Sequence, residues 1–484
     1  MSSECIVAAD RIATTAALPL YSVAQLRALE AQAAGALPPH TLMQRAGLAL
    51  ARLTQALAPH ARTVWIACGP GNNGGDGFEA AVHLQAWGKR VHISHHALTH
   101  YAQDAALSIA KARDSGVSIG TDVPQTFDVC IDALFGIGLV RVLGTEHAHW
   151  VHAMHASGTP IIAVDCPSGL DTDTGSAQPG TVHAHATLTF LGLKPGLFTN
   201  QGRDTCGDLW LDTLGVAPIA SPMAQLNPRP APRPRAHASH KGSFGDVAVV
   251  GGDEGMLGAV LLSARAALLS GAGRVYVAAL DPKAPRFDDQ QPELMFRSPH
   301  KLHWQQLTVV AGCGGGGRLV EWLPALLQDS ARLVLDADAL NAVAETPTLE
   351  PLLRSRSMAK PTVLTPHPLE AARLLGTTAA AVQGDRLHAA QALADKFQAC
   401  VVLKGSGTVL AAPDSTPTIN PTGNARLATA GSGDVLAGMV GAGLAAGQSA
   451  WDAAACAVYQ HGLAGQDEGF TAPVRPASGL LNRH

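Results

Sequence analysis

Thr63-Val-Trp-Ile-Ala-Cys68 runs without a break into Gly69-Pro-Gly-Asn-Asn-Gly-Gly-Asp-Gly77, and Phe78 to Trp87 then follows with helical spacing. A β-prone run, a glycine loop and a helix, in that order, build the geometry that holds nucleotide phosphates at a helix N-terminus. Val91-His-Ile-Ser94 resumes β character, which predicts βαβ units and a parallel sheet. Phe127-Asp-Val-Cys-Ile-Asp132 and Ile161-Ile-Ala-Val164 are the next strands; Thr187-Leu-Thr-Phe190 follows, with Lys194-Pro-Gly196 behind it, and Gly207-Asp-Leu-Trp-Leu211 closes the sheet. The carboxyl ends of these strands deliver Asn72, Asn73 and Asp76, then Asp132, then Asp165 and Ser168, at the edge where open α/β sheets bind ligands. Singly, each is more often turn chemistry than catalysis, because Asn, Asp and Gly accept left-handed backbone angles and cap helices. Their convergence argues for a site. The loop is neither a GxGxxG nor a Walker loop, since no Gly-Lys-Ser/Thr follows it.

Upstream, Ser22 to Leu57 has helical spacing with Ser22 as N-cap, and Pro38-Pro39 divides it into two helices. Met1 to Leu18 is a polar or weakly structured lead-in, with acidic Glu4 and Asp10 where a signal sequence would be basic. At 484 residues the chain exceeds one ordinary core, so two to three domains are expected. With 47% hydrophobic and 15% charged residues it can bury sizeable cores and is globular. Its 34 basic and 38 acidic side chains leave a net charge of −4 with no long run of one sign, which argues against nucleic acid as a partner. Eight cysteines lie without Cys-x-x-Cys or zinc spacing, which suits a reduced compartment, and no apolar run reaches membrane-spanning length. A cytoplasmic protein without membrane partners is the expectation. His92, His95, His96 and His100 lack a carboxylate or cysteine at ligand spacing.

Pro218 to Ser239 shifts to a Pro-rich, basic composition, and Asn227-Pro-Arg-Pro-Ala-Pro-Arg-Pro-Arg235 reads as an extended, semi-stiff spacer. The expected organisation is a first domain over 1–217, a linker over 218–239 and a second domain over 240–484. The second half repeats the α/β rhythm without repeating the sequence. Val247-Ala-Val-Val250 leads to Gly251-Gly252, and Ala259 to Ser270 is a buried helix packed through Ala264, Ala266 and Ala267. Val275-Tyr-Val-Ala278 is the next strand; Leu307 to Ala311 enters Gly312-Cys-Gly-Gly-Gly-Gly317, and Leu333-Val-Leu-Asp336 enters Ala337-Asp-Ala-Leu-Asn341. Thr362-Val-Leu-Thr365 enters Pro366-His-Pro-Leu-Glu370, and Cys400-Val-Val-Leu403 enters Lys404-Gly-Ser-Gly-Thr408. Last comes Ala428-Thr-Ala-Gly-Ser-Gly-Asp-Val-Leu-Ala-Gly438, a small-residue turn opening into an apolar helix. Gly431, Ser432 and Gly433 let an anion approach the backbone N-H groups, and Asp434 is placed either to take a proton from a hydroxyl there or simply to cap the helix.

The Gly71-Asn-Asn-Gly-Gly-Asp-Gly77 loop, Asp132-Ala-Leu-Phe-Gly136 and Asp165-Cys-Pro-Ser-Gly-Leu-Asp171 closely resemble the epimerase half of the NAD(P)H-hydrate repair proteins. The stations of the second half, closed by Ala430-Gly-Ser-Gly-Asp434, resemble the ribokinase-like dehydratase half of the same proteins. Together the resemblances cover the chain from about Tyr21 onward, in the order of the bifunctional bacterial form. They imply a Rossmann-like α/β domain followed by a ribokinase-like α/β domain. In the first, Asn72, Asn73, Gly74, Gly75 and Asp76 would contact the substrate; Gly136, Ile137, Gly138, Leu139, Val140, Arg141 and Val142 would wrap the dinucleotide; and Asp165 would be a contact and acid/base. Asn73, Asp132 and Ser168 would lie near a potassium ion. In the second, Ala259, Gly314, His367 and Asp434 would contact the hydrate, while Lys404, Gly405, Ser406, Gly407, Thr408 and Gly433 would contact the adenine nucleotide. The family pattern at the glycine loop is Gly-Pro-Gly-Leu-Gly, and this chain departs from it at Cys313 and Gly315.

What the resemblance implies chemically is the interconversion of R and S hydrates of NADH and NADPH, and dehydration of the S form. ADP, with ATP as the rival donor, would phosphorylate the C6 hydroxyl under Asp434 as base; elimination would leave AMP and phosphate, with Mg2+ expected on the phosphates. Hydrated dinucleotides and ADP are then the partners, and a homo-oligomer is expected because such enzymes commonly form them. Two other functions fit the residues: a ribokinase-like small-molecule kinase with a regulatory N-terminal domain, and a non-catalytic nucleotide-binding adaptor.

Overall fold

The computed structural model describes residues 9–13, 15–137, 143–218, 221–356, 360–467 and 477–482. Two units divide the chain, one of residues 1–13 with 19–224 and one of residues 14–18 with 225–484.

In the first unit, Val64, Ile66 and Cys68 face one side of a strand and Trp65 and Ala67 the other, and all five are buried. A strand apolar on both faces needs cover on both, which is the condition of a parallel sheet between helix layers. The sheet runs Asp208–Asp212, Ala186–Phe190, Ile161–Val164, Val129–Ala133, Thr63–Cys68, Arg90–His95, Ser118–Gly120, all parallel, with Asp10–Arg11 antiparallel on its outer edge. Succession outward from Thr63–Cys68 goes first to one side and then, from Val129–Ala133, to the other. The crevice between those two strands is therefore a topological switch point, where carboxyl ends diverge and ligands fit.

Ser22 caps Val23–Ala36 through a capping box: Gln25 N-H donates to Ser22 Oγ at 3.2 Å and Ser22 N-H to Gln25 Oε1 at 2.9 Å. Beyond Pro38-Pro39, Thr41–Leu57 starts from His40 at φ +67°. The third helix differs from the expectation. It spans Asn72–Ala86, so the glycine loop is already helix from Asn72 onward. The reason is packing. A Cβ at Gly74 would lie 2.1 Å from Gly69 O, and one at Gly77 would lie 2.8 Å from both Ala133 Cβ and Cys68 Sγ. These glycines let the helix lie against the strands, which outweighs their poor helix propensity.

The second unit repeats the plan. Met295–Phe296, Arg274–Ala279, Asp246–Gly251, Thr308–Ala311, Arg332–Leu335, Thr362–Leu364 and Cys400–Leu403 are parallel, and Val409–Ala411 and Thr418–Ile419 extend them antiparallel. Its switch point lies between Asp246–Gly251 and Thr308–Ala311. Helices Leu257–Leu269 and Ser432–Ala445 pack closely there, since a Cβ at Gly438 would sit 2.1 Å from Ser263 O, and Ala264, Ala266 and Ala267 are buried.

The Pro-rich stretch is only in part the spacer its composition suggests. Gln225 and Leu226 pair in parallel with Thr418 and Ile419, and buried Asn227 donates to Asn420 Oδ1 at 3.1 Å and Ala455 O at 2.9 Å. Further along, the Arg235 guanidinium lies 3.8 Å from the Phe244 ring centroid and donates to Gly271 O at 2.6 Å. Backbone pairing and side-chain hydrogen bonds, which composition does not encode, dock it. Among the described residues, seven cysteines are free and no helix is long and apolar enough to cross a membrane.

Candidate functional site

The first unit has a cavity of about 790 Å³ at its switch point, lined by Asn72, Asn73, Asp76, Gly136, Asp165 and Lys194, with Glu30 and His40 on the helical side. Asp165 ends the strand Ile161–Val164 at φ +64°, a left-handed angle that Asp tolerates better than most residues. That turn divides its carboxylate. Oδ1 is held by the Lys194 ammonium, by Phe190 N-H at 3.2 Å and by Thr189 Oγ1 at 3.4 Å. Oδ2 lies 3.2 Å from where a Cβ at Gly136 would begin, with Asn73 Oδ1 at 2.9 Å from the same point. Gly136 is thus the gap that leaves Oδ2 and Asn73 open to a ligand. Lys194 is buried and also donates to Thr189 Oγ1 at 2.6 Å and Phe190 O at 3.1 Å.

Asp132 and Ser168 do different work from Asp165. Ser168 Oγ donates to Asp132 Oδ1 at 2.7 Å and Ser168 N-H to Oδ2 at 2.8 Å, while Ser168 Oγ accepts from Phe135 N-H at 2.9 Å and lies 3.2 Å from Phe135 O. Two strand ends are laced together by these bonds. Burial pushes the Asp132 carboxyl up to about 6, with the Ser168 bonds pulling it back. Burial also pushes Asp76 well up, reinforced by the charges of Asp165, Glu30, Glu79 and Asp104. Glu30 is raised first by burial and then by Asp165.

In the second unit Asp434 stands in the first turn of Ser432–Ala445, whose N-cap Gly431 takes φ +87°. Buried His461 braces that turn, its Nε2 lying 3.1 Å from Ser432 Oγ and 3.0 Å from Ser432 O; burial takes its pKa down to about 4, so it is a neutral ring. Burial, then the charge of Asp336, pushes Asp434 up to about 6, while the Cys313 thiol and Lys404 pull it down. Cys313 is itself buried and held well above the thiol range, so it is an S-H donor rather than a thiolate. One ligand atom each of Cys313, Asp336 and Asp434 lies within 4.8 Å of the others. Lys404 donates to Asp336 Oδ1 at 2.6 Å, as does Thr365 Oγ1 at 2.8 Å, and lies 4.0 Å from Glu370 Oε2. Burial works against the Lys404 charge, but Asp336 and Glu370 outweigh it and raise its pKa.

The candidates from sequence fall into place unevenly. Asn73, Gly136 and Asp165 meet at one point, and Asp132 joins Ser168; Ile137 borders the same cavity. Gly74 and Gly75 are turned into packing, Gly75 against Met43 Sδ. Gly138, Leu139, Val140, Arg141 and Val142 lie outside the described residues. In the second unit Gly314, at φ +58°, faces Ala259 with 3.1 Å between its would-be Cβ and that of Ala259, and a Cβ at Gly433 would lie 3.2 Å from the Lys404 ammonium. His367 caps the helix Pro368–Leu375, its Nδ1 accepting from Leu369 and Glu370 N-H groups, with Nε2 3.2 Å from Glu370 Oε1. It therefore shapes the loop as well as bordering the site. Sequence reasoning assigned no role to Lys194, Glu30, Asp336 or Glu370. Lys194, Asp336 and Glu370 each sit just past a strand, which was the available signal; Glu30 comes from a helix far upstream and gave none.

A family model described as NAD(P)H-hydrate dehydratase matches residues 247–472, and one described as YjeF-related protein N-terminus matches residues 39–196. The chain is 36% identical over 452 residues to the bifunctional NAD(P)H-hydrate repair enzyme Nnr of Escherichia coli (strain K12), covering 88% of this chain and 84% of the relative. Its similarity to the enzyme of the same description from Coxiella burnetii is 35% over 468 residues, covering 92% and 94%. A solved ADP/ATP-dependent NAD(P)H-hydrate dehydratase from Bacillus subtilis, co-crystallised with ATP and Mg2+, is 28% identical with a TM-score of 0.42, covering 51% of this chain and 90% of that one.

Proposed function

The chain belongs to the bifunctional NAD(P)H-hydrate repair enzymes, and we propose that its two chemistries rest on Asp165 with Lys194 in the first unit and on Asp434 in the second. The protein is an enzyme of nicotinamide nucleotide repair, both epimerase and dehydratase. A Rossmann-like domain carries the first activity and a ribokinase-like α/β domain the second.

Epimerisation at C6 of the hydrated ring requires the hydroxyl to leave and return on the other face. The ring nitrogen's lone pair expels it once it is protonated, giving water and an iminium ion, and water then adds back and surrenders a proton. The open Oδ2 of Asp165 is the group in place to accept the proton that the adding water surrenders and to return it to the departing hydroxyl in the next turnover, while Lys194, its three donors spent within the protein, holds Oδ1. Asp132, Ser168, Phe135 and Asn73 would hold potassium through oxygen atoms, which suit that ion, and those of Asp132, Ser168 and Phe135 lie together. When bound, that ion offsets substrate phosphate charge.

For dehydration, Asp434 removes the C6 hydroxyl proton as the terminal phosphoryl group of ADP moves onto that oxygen, releasing AMP. The N-H groups of the Gly431–Gly433 turn face the developing charge. Nitrogen push expels phosphate, and loss of the C5 proton restores the dihydropyridine. Asp336 Oδ2, outside the bonds to Lys404 and Thr365, is a hard oxygen that would hold Mg2+, which would offset the charge of the donor phosphates; the Cys313 thiol does not suit that ion.

The observation that carries this reading is Asp434, a carboxylate of raised proton affinity standing at a helix N-terminus behind a Gly-Ser-Gly turn. An equilibrated R/S mixture of hydrated NADH, with ADP and Mg2+, tests it by NADH absorbance. Asp434→Asn should form no NADH; Asp165→Asn should convert the S share quickly and the R share only at the uncatalysed rate. Failure of the parent to form NADH with either ADP or ATP would remove the reading.

A further inference from the structure

Arg386 is the first residue of the helix Arg386–Phe397 and is 1% exposed. A cation at that end opposes the helix dipole, and its burial forfeits hydration, so packing gain alone does not explain it. Its fork points at the loop after Cys400–Leu403: Nη2 donates to Leu403 O and to Lys404 O, each at 3.2 Å, and Nη1 donates to Gln383 Oε1. Burial lowers its pKa to about 10, which leaves it protonated at neutral pH. Gly405 takes φ +136°, and a Cβ there would lie 2.9 Å from both Nη1 and Nη2. The guanidinium therefore lies directly against the turn at Gly405, and only glycine leaves room for it.

We propose that Arg386 is the positioning residue of the nucleoside diphosphate site: it fixes the curve of Lys404–Thr408 and places a permanent positive charge behind it. The inference rests on the reading that this loop takes the adenine nucleotide. Two consequences follow from the geometry. Tying Lys404 O fixes the backbone from which the Lys404 ammonium reaches Asp336. The buried charge attracts the anionic donor but has no reason to attract the hydrated ring, so its effect falls on one substrate.

The test uses the full-length protein, with dehydration followed at varied ADP and at varied (S)-hydrate. Arg386→Met should raise KM for ADP about tenfold, the loss expected for charge-assisted hydrogen bonds to a loop, with kcat and KM for the hydrate changed less than about threefold. Arg386→Lys, which keeps charge but not the fork, should recover part of that loss, and Gly405→Ala should reproduce it by displacing the guanidinium. Ser406→Trp, which crowds the outer side of the same loop, checks the underlying reading. If Ser406→Trp leaves KM for ADP unchanged, the nucleotide binds elsewhere and both claims fall. If it raises KM for ADP while Arg386→Met does not, the nucleotide reading stands and the role of Arg386 is wrong. Equal rises in both KM values with Arg386→Met, or a loss of folded protein that Arg386→Lys fails to restore, would make Arg386 merely structural and overturn the proposal.

Discussion

Both units place a lysine on an aspartate at a strand end, yet the two pairs are built differently. Lys194 is sealed, with its three donors spent on Asp165, Thr189 Oγ1 and Phe190 O. Lys404 is only partly buried, with one close carboxylate, Asp336, and a second 4.0 Å away. The partner aspartates differ too: Asp165 turns its second oxygen toward the cavity, whereas Asp336 stands beside a second carboxylate, Asp434. A sealed pair can exchange protons with a ring held against it but cannot follow a moving group. An unsealed lysine can leave its carboxylate to meet a phosphoryl oxygen. On the proposed mechanism, one residue pairing serves acid/base work in one site and charge neutralisation in the other.

Removing each lysine should break the symmetry most visibly. Lys194→Met leaves Asp165 buried without its counter-ion and should cost the first unit about 3–5 kcal/mol, besides abolishing epimerisation. Lys404→Met should cost stability less, because Thr365 Oγ1 still donates to Asp336 and the part-exposed Lys404 ammonium gives up less hydration to make its pair than sealed Lys194 does, while slowing dehydration about a hundredfold. Thermal melts and separate assays of the two activities read both. Equal stability losses would show that the lysines are equivalent and the distinction empty.

The pH dependence of dehydration sharpens the contrast from the other side. As the proposed base, Asp434 must be ionised to accept the hydroxyl proton, and burial pushes its carboxyl up to about 6. As pH falls through that value the base becomes protonated, so kcat/KM should drop about tenfold per unit below it, with a plateau above. Cys313→Ala removes the thiol that stabilises the carboxylate and should move that limb to higher pH. A limb that stays in place would mean that the thiol does not touch the ionised base.

Particular residues mark what the sequence makes legible. Ser22 announces a helix start because capping is local chemistry, and the β-prone run Thr63–Cys68 announces a strand. The helix start at Asn72 was hidden because propensity discounts glycine, and only the neighbours of Gly74 and Gly77 reveal that small size is required there. The pairs Asp165–Lys194 and Asp336–Lys404 span 29 and 68 residues, and spacing of that kind carries no periodic signal. Asn227 was hidden for a different reason. Proline-rich chain has the same composition whether solvated or docked, and the docking depends on hydrogen bonds to Asn420 and Ala455. Asn227→Ala should therefore lower the stability of the second unit by about 1–2 kcal/mol, where a free linker would show no change in a denaturation midpoint.

The smallest expected effect concerns the backbone at the two strand ends. Asp165 itself takes φ +64°, an angle that Asp reaches at little cost. In the second unit Asp336 avoids it, and the next residue, Ala337, takes φ +46° and ψ −115°, a region suited to glycine. Ala337 also supplies the carbonyl that accepts from Leu340 and Asn341 N-H, so the turn cannot relax without losing the start of Asp338–Glu345. Strain is thus carried beside the carboxylate that anchors Lys404, not within it. Ala337→Gly should relieve that strain and raise stability by about 1 kcal/mol, after allowing for the greater freedom of glycine in the unfolded chain. Its melting point should rise while dehydration slows, because Asp336 would hold Lys404 less firmly. A fall in the melting point would show that the alanine methyl is well packed, and that the two strand ends do not differ in where they carry strain.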